Sequence, residues 1–146
     1  MIEKGISTGQ LSVVISIDSS SRKIYKEVKQ IDAFDKVCNN LKKYAKAKTN
    51  THYGVISKYI IIPLVNDTQE EIDNWLKFNK DNNIEVIVID IENSWLNRYR
   101  ESEPDKRIVD LVKYVVQKSR EMNFYKLEIC DRARYLVPEY GEKVVS

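Results

Sequence analysis

An α/β fold, with parallel strands joined by crossover helices in about four β/α units, is predicted by three observations. Four Val/Ile-rich runs, at 11–18, 56–62, 84–91 and 125–130, recur along the chain. Each stops abruptly in polar residues, and segments with apolar residues at helical spacing lie between them. Strands that alternate with helices in this way form a parallel sheet with right-handed crossovers. A continuous apolar run such as LSVVISID, 11–18, further predicts a strand buried on both faces. Ligands of such sheets sit beyond the carboxyl ends of the strands, so the polar ends are where chemistry is expected.

Taken in order, residues 1–10 place Ile2, Glu3, Lys4 and Ile6 as the tail of a helix, with Gly9 in the turn before the first strand. A chain that opens on a helix tail reads as cut from something longer. The first strand ends in Ser16 and Asp18, followed by Ser19, Ser20 and Ser21. Residues 22–31 carry Ile24, Tyr25, Val28 and Ile31 at helical spacing and read as a short helix or an ordered loop. Asp32 is expected to cap the next helix. In that helix Phe34, Val37, Cys38, Leu41 and Ala45 share one face, which makes Cys38 a small core residue rather than a ligand.

Residues 48–54 read as a loop. It holds His52, the only histidine, which is expected at the surface because imidazole becomes a general base only beside an orienting partner. The second strand is stopped by Pro63, Asn66 and Asp67 turn the chain, and Thr68 with Glu71 has the spacing of a capping box. Ile72, Trp75 and Leu76 form the apolar face of the helix that follows, which is expected to end at 81–83.

The third strand ends in Asp90, Glu92 and Asn93. The loop 94–104 carries Trp95, Arg98, Tyr99 and Arg100, as a substrate loop or as packing over the end of the sheet. Ser102 and Asp105 are placed to cap a third long helix, with Pro104 in its first turn. Ile108, Leu111, Val112, Val115 and Met122 mark its buried face. After the fourth strand, Asp131, Arg132 and Arg134 read as a surface ion network of little energetic weight. Residues 132–146 read as an irregular tail.

The 146 residues are expected to form a single domain. Apolar residues are 42% and charged residues 32%, with an interspersed net charge of +2. Lysine runs such as Lys42–Lys43 read as a solvated helix face, and no basic stripe suggests a nucleic-acid partner. Cys38 and Cys130 are too far apart in sequence for a disulfide framework or a metal-ligand spacing. No run reaches the ~18 apolar residues that span a bilayer, and MIEKGISTGQ lacks the apolar core of a signal peptide. The expectation is a cytoplasmic protein with neither membrane nor nucleic-acid partner and no metal ligands.

Four strands with three crossovers fit a small open sheet or part of a (β/α) barrel. Polar residues at every strand's carboxyl end favour the barrel, whose active face lies there. Four strands taken from a barrel would leave two open edges and an uncovered inner face, and open edges promote self-association.

Three stretches together resemble the radical SAM superfamily. Residues 13–44, VVISIDSSSRKIYKEVKQIDAFDKVCNNLKKY, are similar to its middle strand, the S-x-D strand end and the helix that follows. Residues 58–78, KYIIIPLVNDTQEEIDNWLKF, are similar to the next unit, with a strand ending near Pro and an N-D-x-x-E sequence. Residues 84–92, IEVIVIDIE, stand where the strand after that belongs. The resemblance covers about residues 1–131. It implies a partial, TIM-like (β/α)6 barrel that binds a [4Fe–4S] cluster and S-adenosylmethionine and cleaves the latter to a 5′-deoxyadenosyl radical. Strand 11–18 would then be the fourth of that barrel.

The resemblance puts Ser16 and Asp18 against the ribose and amino-acid part of the cofactor. Lys29 falls where many members carry an arginine that holds the cofactor carboxylate; lysine keeps the charge and loses the bidentate fork. Lys58 and Asn66 are further cofactor-side candidates, and Asp90 and Glu92 would face the substrate. The family's C-x3-C-x2-C cluster loop is missing, as is the glycine-rich strand end that holds the methionyl amino group. Two cysteines cannot supply three thiolates, so no cofactor is expected to be bound to this chain alone, although the full-length parent would hold both.

The function expected from the resemblance is that of a radical SAM enzyme fragment, carrying part of the cofactor pocket and inactive by itself, its partner the missing N-terminal part of its own barrel. The alternative is a standalone degenerate α/β domain that binds a nucleotide-like ligand or a protein. A receiver-like domain is disfavoured, because single rather than paired acids follow the first strand and no lysine ends the fourth.

Overall fold

The computed structural model describes residues 1–48, 52–92 and 106–140, and the backbone of 143–145. The elements run α1 (Ile2–Ser7), β1 (Val13–Ser16), α2 (Arg22–Lys29), α3 (Phe34–Ala47), β2 (Val55–Ile61), α4 (Gln69–Asp81), β3 (Val86–Ile91), α5 (Lys106–Glu121), β4 (Lys126–Ile129), α6 (Asp131–Arg134) and β5 (Lys143–Val145). The strands form one sheet in the order β1-β2-β3-β4-β5. The first four are parallel, and β5 joins β4 antiparallel. The α/β reading with crossover helices is therefore correct.

Local chemistry sets most boundaries. Gly9, at φ 75°, makes the turn between α1 and β1, a conformation that costs glycine little. Ser21 caps α2, its hydroxyl accepting from Ile24 N, and Thr68 caps α4 by accepting from Glu71 N. Asp32 does not cap α3. Its carboxylate is taken by the Arg22 fork at 2.8 and 2.7 Å, and the cap position falls to Ala33, which has no side chain to offer. The expected caps Ser102 and Asp105, together with Pro104, Trp95, Arg98, Tyr99 and Arg100, lie outside the described residues.

The sequential strand order explains the two faces of the sheet. Crossovers of one hand that always step in the same direction put the helices that join the parallel strands on the same side. Tyr59, Ile61, Ile87, Ile89, Leu127 and Ile129 lie on that side in the main core, beneath Ile72, Trp75 and Leu76 of α4 and Ile108, Val112, Val115 and Val116 of α5. Trp75 donates its indole N–H to the buried Ser57 hydroxyl at 2.9 Å, which satisfies both groups.

The opposite face is built of cross-strand rows. Val14, Ile56, Val86 and Lys126 form one row, and Ser16, Lys58, Val88 and Glu128 the next. Val14 is 58% exposed. Strand 11–18 is thus shorter than expected, with Val13 and Ile15 half-buried toward the core and Val14 exposed on the opposite face. Val86 and Val88 are buried yet stand outside the main core cluster.

The far end of the chain also differs from expectation. Residues 132–146 are not an irregular tail throughout: α6 forms at once after β4, and β5 pairs with it. The edge of β4 is therefore covered, leaving β1 as the outer parallel strand.

Candidate functional site

The polar strand ends gather into two neighbouring clusters on the side of the sheet opposite the main core. The first is centred on Asp18, which is 2% exposed and sits at φ 55°. Asp is one of the few side chains that tolerates this left-handed geometry. The turn swings its carboxylate across to β2. Oδ1 accepts from the Ser16 hydroxyl at 2.6 Å and from Ile60 N at 2.7 Å, and Oδ2 accepts from Lys29 Nζ at 2.6 Å. A buried carboxylate needs such partners, because desolvation without them costs several kcal/mol.

Asn66 locks the same strand ends from the other side. Its Nδ2 donates to the carbonyls of Asp18 and Ile60 at 2.9 and 2.8 Å, and its Oδ1 accepts from Ile62 N at 2.7 Å. Its own carbonyl accepts from the Tyr59 hydroxyl at 2.6 Å. Asn66 is fully buried, and its amide is engaged with backbone. Four of the residues singled out in the sequence, Ser16, Asp18, Lys29 and Asn66, therefore meet at one place.

Glu71 completes the surroundings in a way that spacing did not reveal. Thr68 caps Glu71 N, but the Glu71 carboxylate does not return to Thr68. It accepts from Ser20 N at 2.7 Å and from the Ser21 hydroxyl at 3.1 Å. A carboxylate thus occupies the start of α2, where the helix dipole and free N–H groups would otherwise attract an anion.

The second cluster is centred on Asp90, 1% exposed at the end of β3. Its Oδ1 accepts from Ile91 N at 2.8 Å and Arg132 Nε at 3.3 Å. Its Oδ2 accepts from Arg132 Nη2 at 2.6 Å and lies 3.3 Å from Lys58 Nζ. Lys58, a cofactor-side candidate in the sequence, thus pairs with the substrate-side candidate Asp90 instead of joining Asp18. Arg132 is no minor surface ion; it is fixed by a buried carboxylate that holds its guanidinium above the ordinary arginine range. Glu92 follows β3, its N–H donating to Ile61 O at 2.9 Å.

Lys58, Asp90, Cys130 and Arg132 help to line a cavity of about 430 Å3. Burial, with Asp90 adding to it, pushes the Cys130 thiol up and keeps it protonated near neutral pH. Cys38 is half-buried on α3, and burial raises its thiol likewise. His52 is exposed and stacks on Tyr125 with ring centres 4.0 Å apart.

Among the described residues no group of three or more His, Cys, Asp or Glu is placed to hold a metal ion, and no helix is long and apolar enough to cross a membrane. Compared with models of protein families, with curated proteins and with solved structures, the chain matches none.

Proposed function

We propose that this chain forms the later β/α units of a radical SAM barrel, carrying part of the S-adenosylmethionine pocket and inactive by itself. The observation that carries this reading is the meeting of Ser16, Asp18 and Lys29 at the carboxyl end of β1, beside the sheet face opposite the main core. In a (β/α) barrel that face is the interior and that end is the active one. The sequential order of four parallel strands is the order of a barrel wall.

The donor set fits the cofactor's amino-acid and ribose part. Lys29 is 28% exposed, held by one bond to Asp18, and its ammonium keeps protons for a carboxylate. The Ser16 hydroxyl, having donated to Asp18, keeps acceptor capacity for a ribose hydroxyl or an ammonium group. Asp18 positions both. Asn66 serves the pocket by tying the two strand ends together.

The iron–sulfur cluster does not fit. Such clusters are held chiefly by several Cys thiolates, whereas Cys38 lies on α3 and Cys130 follows β4. No radical step is therefore assigned to these residues.

Calorimetric titration of S-adenosylmethionine into the folded chain tests the reading, with Lys29→Gln alongside. The expected result is weak, saturable binding that falls about tenfold in the variant, as for loss of one charge-assisted hydrogen bond. No heat of binding from a chain shown to be folded, or equal binding by the variant, would overturn it and favour an α/β domain with another ligand.

A further inference from the structure

We propose that Lys58 and Arg132, set side by side by the buried Asp90, form an anchor for an oxyanion of the substrate, a carboxylate or a phosphate. The inference rests on the preceding section only in calling that ligand a substrate. The anchor itself follows from counting donors and acceptors.

Asp90 has nothing left to offer a ligand. An ionised carboxylate has about four lone-pair sites, and Ile91 N, two nitrogens of Arg132 and Lys58 Nζ face them all. The donors are in surplus. Arg132 uses Nε and Nη2 on Asp90, and its Nη1 makes no hydrogen bond among the described residues. Among the described residues Lys58 makes one ion pair, at 3.3 Å. Both reach solvent, with side chains 39% and 23% exposed, while Asp90 does not. A saturated acceptor beneath unsaturated donors selects a ligand that brings acceptors.

The neighbouring acids do not cancel this surplus at close range. Glu128 is joined to Lys126, and Asp131 to Arg134. Glu92 acts on Arg132 only through longer-range attraction. The Cys130 thiol, kept neutral by burial, adds no charge. The cavity of about 430 Å3 has room for a small anionic group with a body attached. Lys58 comes from β2, Asp90 from β3 and Arg132 from α6, so the anchor forms only in the folded sheet.

The test is an amide NMR titration at constant ionic strength, with inorganic phosphate in one arm and acetate in the other. Chloride is the reference salt, and Lys58→Gln, Arg132→Lys and Lys42→Gln are run beside the unmodified chain. Lys42 lies on α3, away from the cavity. Saturable shifts at Ile91, Cys130, Asp131 and the Arg132 side chain are expected. Lys58→Gln should weaken binding about tenfold, Arg132→Lys should weaken it as well, because one ammonium cannot both hold Asp90 through a fork and turn a further nitrogen to the ligand, and Lys42→Gln should change nothing. Binding of phosphate alone assigns a phosphorylated ligand, and binding of acetate assigns a carboxylate. No saturable shift with either anion, shifts scattered over the surface, or undiminished binding by a well-folded Lys58→Gln chain would overturn the proposal. None of these outcomes involves S-adenosylmethionine, so failure here and failure of the cofactor reading are separately visible.

Discussion

The Asp18 carboxylate accepts the backbone N–H of Ile60 at 2.7 Å, across the boundary between β1 and β2. One side chain thus extends the ladder of two parallel strands and at the same time holds Lys29 and Ser16. The same carboxylate carries the strand contact and the proposed ligand site, so the two must be separated by choice of variant.

Asp18→Ala leaves Ile60 N and the Lys29 ammonium without their partner. The expected loss is about 3 kcal/mol, read as a lower urea midpoint. Asp18→Asn keeps the acceptor for Ile60 N, loses the charge that Lys29 needs, and should cost less than half as much. Equal losses in both variants would contradict the role assigned to the Ile60 contact.

Glu71→Ala removes the acceptor of Ser20 N and the Ser21 hydroxyl. A loss of about 1–2 kcal/mol is expected, with faster hydrogen exchange at Ser20 and at the start of α2. Unchanged exchange there would show that the carboxylate does not hold this turn. Because Glu71 lies on α4, the effect couples two helices.

Arg132→Met leaves the buried Asp90 carboxylate with Ile91 N and the more distant Lys58, and about 2–4 kcal/mol of stability should be lost. Asp90→Asn combined with Arg132→Met removes the buried charge and should restore part of that loss. A double variant no more stable than Arg132→Met would argue that the carboxylate is not the source of the cost.

Burial pushes the Tyr59 phenol above its usual value, and the charges of Glu71, Asp18 and Asp67 add to this. The native state then keeps the proton longer than the unfolded chain. Stability from this source is whole below the unfolded pKa of about 10 and is lost as pH rises beyond it. Urea midpoints measured from about pH 8 to about pH 11, on either side of that unfolded pKa, should fall more steeply for the unmodified chain than for Tyr59→Phe. Parallel curves would contradict the assignment.

Much of the fold was legible because periodicity reports burial. Leu41 and Ala45, Trp75 and Leu76, and Val112 and Val115 all lie on the buried faces their spacing marks. Polar residues at the end of the first strand likewise marked Ser16 and Asp18, whereas Lys29 and Asn66 were singled out only by the family resemblance. Side-chain pairing was not legible. Arg22 and Asp32 are ten residues apart, and Arg132 and Asp90 are 42 apart, so no local rule joins them. Glu71 had the spacing of a capping box, but the β1–α2 turn offered it a better pair of donors. Val14 looked like core because a Val/Ile run does not say how many faces are covered; the strand order does. The strand at 143–145 follows a Pro and a Gly and is too short to show a period.

The end of β1 is proposed to be half of a cofactor pocket. Amide NMR of the chain titrated with S-adenosylmethionine tests it most directly. Saturable shifts confined to Ser16, Asp18, Ser19, Lys29 and Ile60 are expected. A folded chain whose spectrum does not move, or moves only at residues away from β1 and α2, would contradict it.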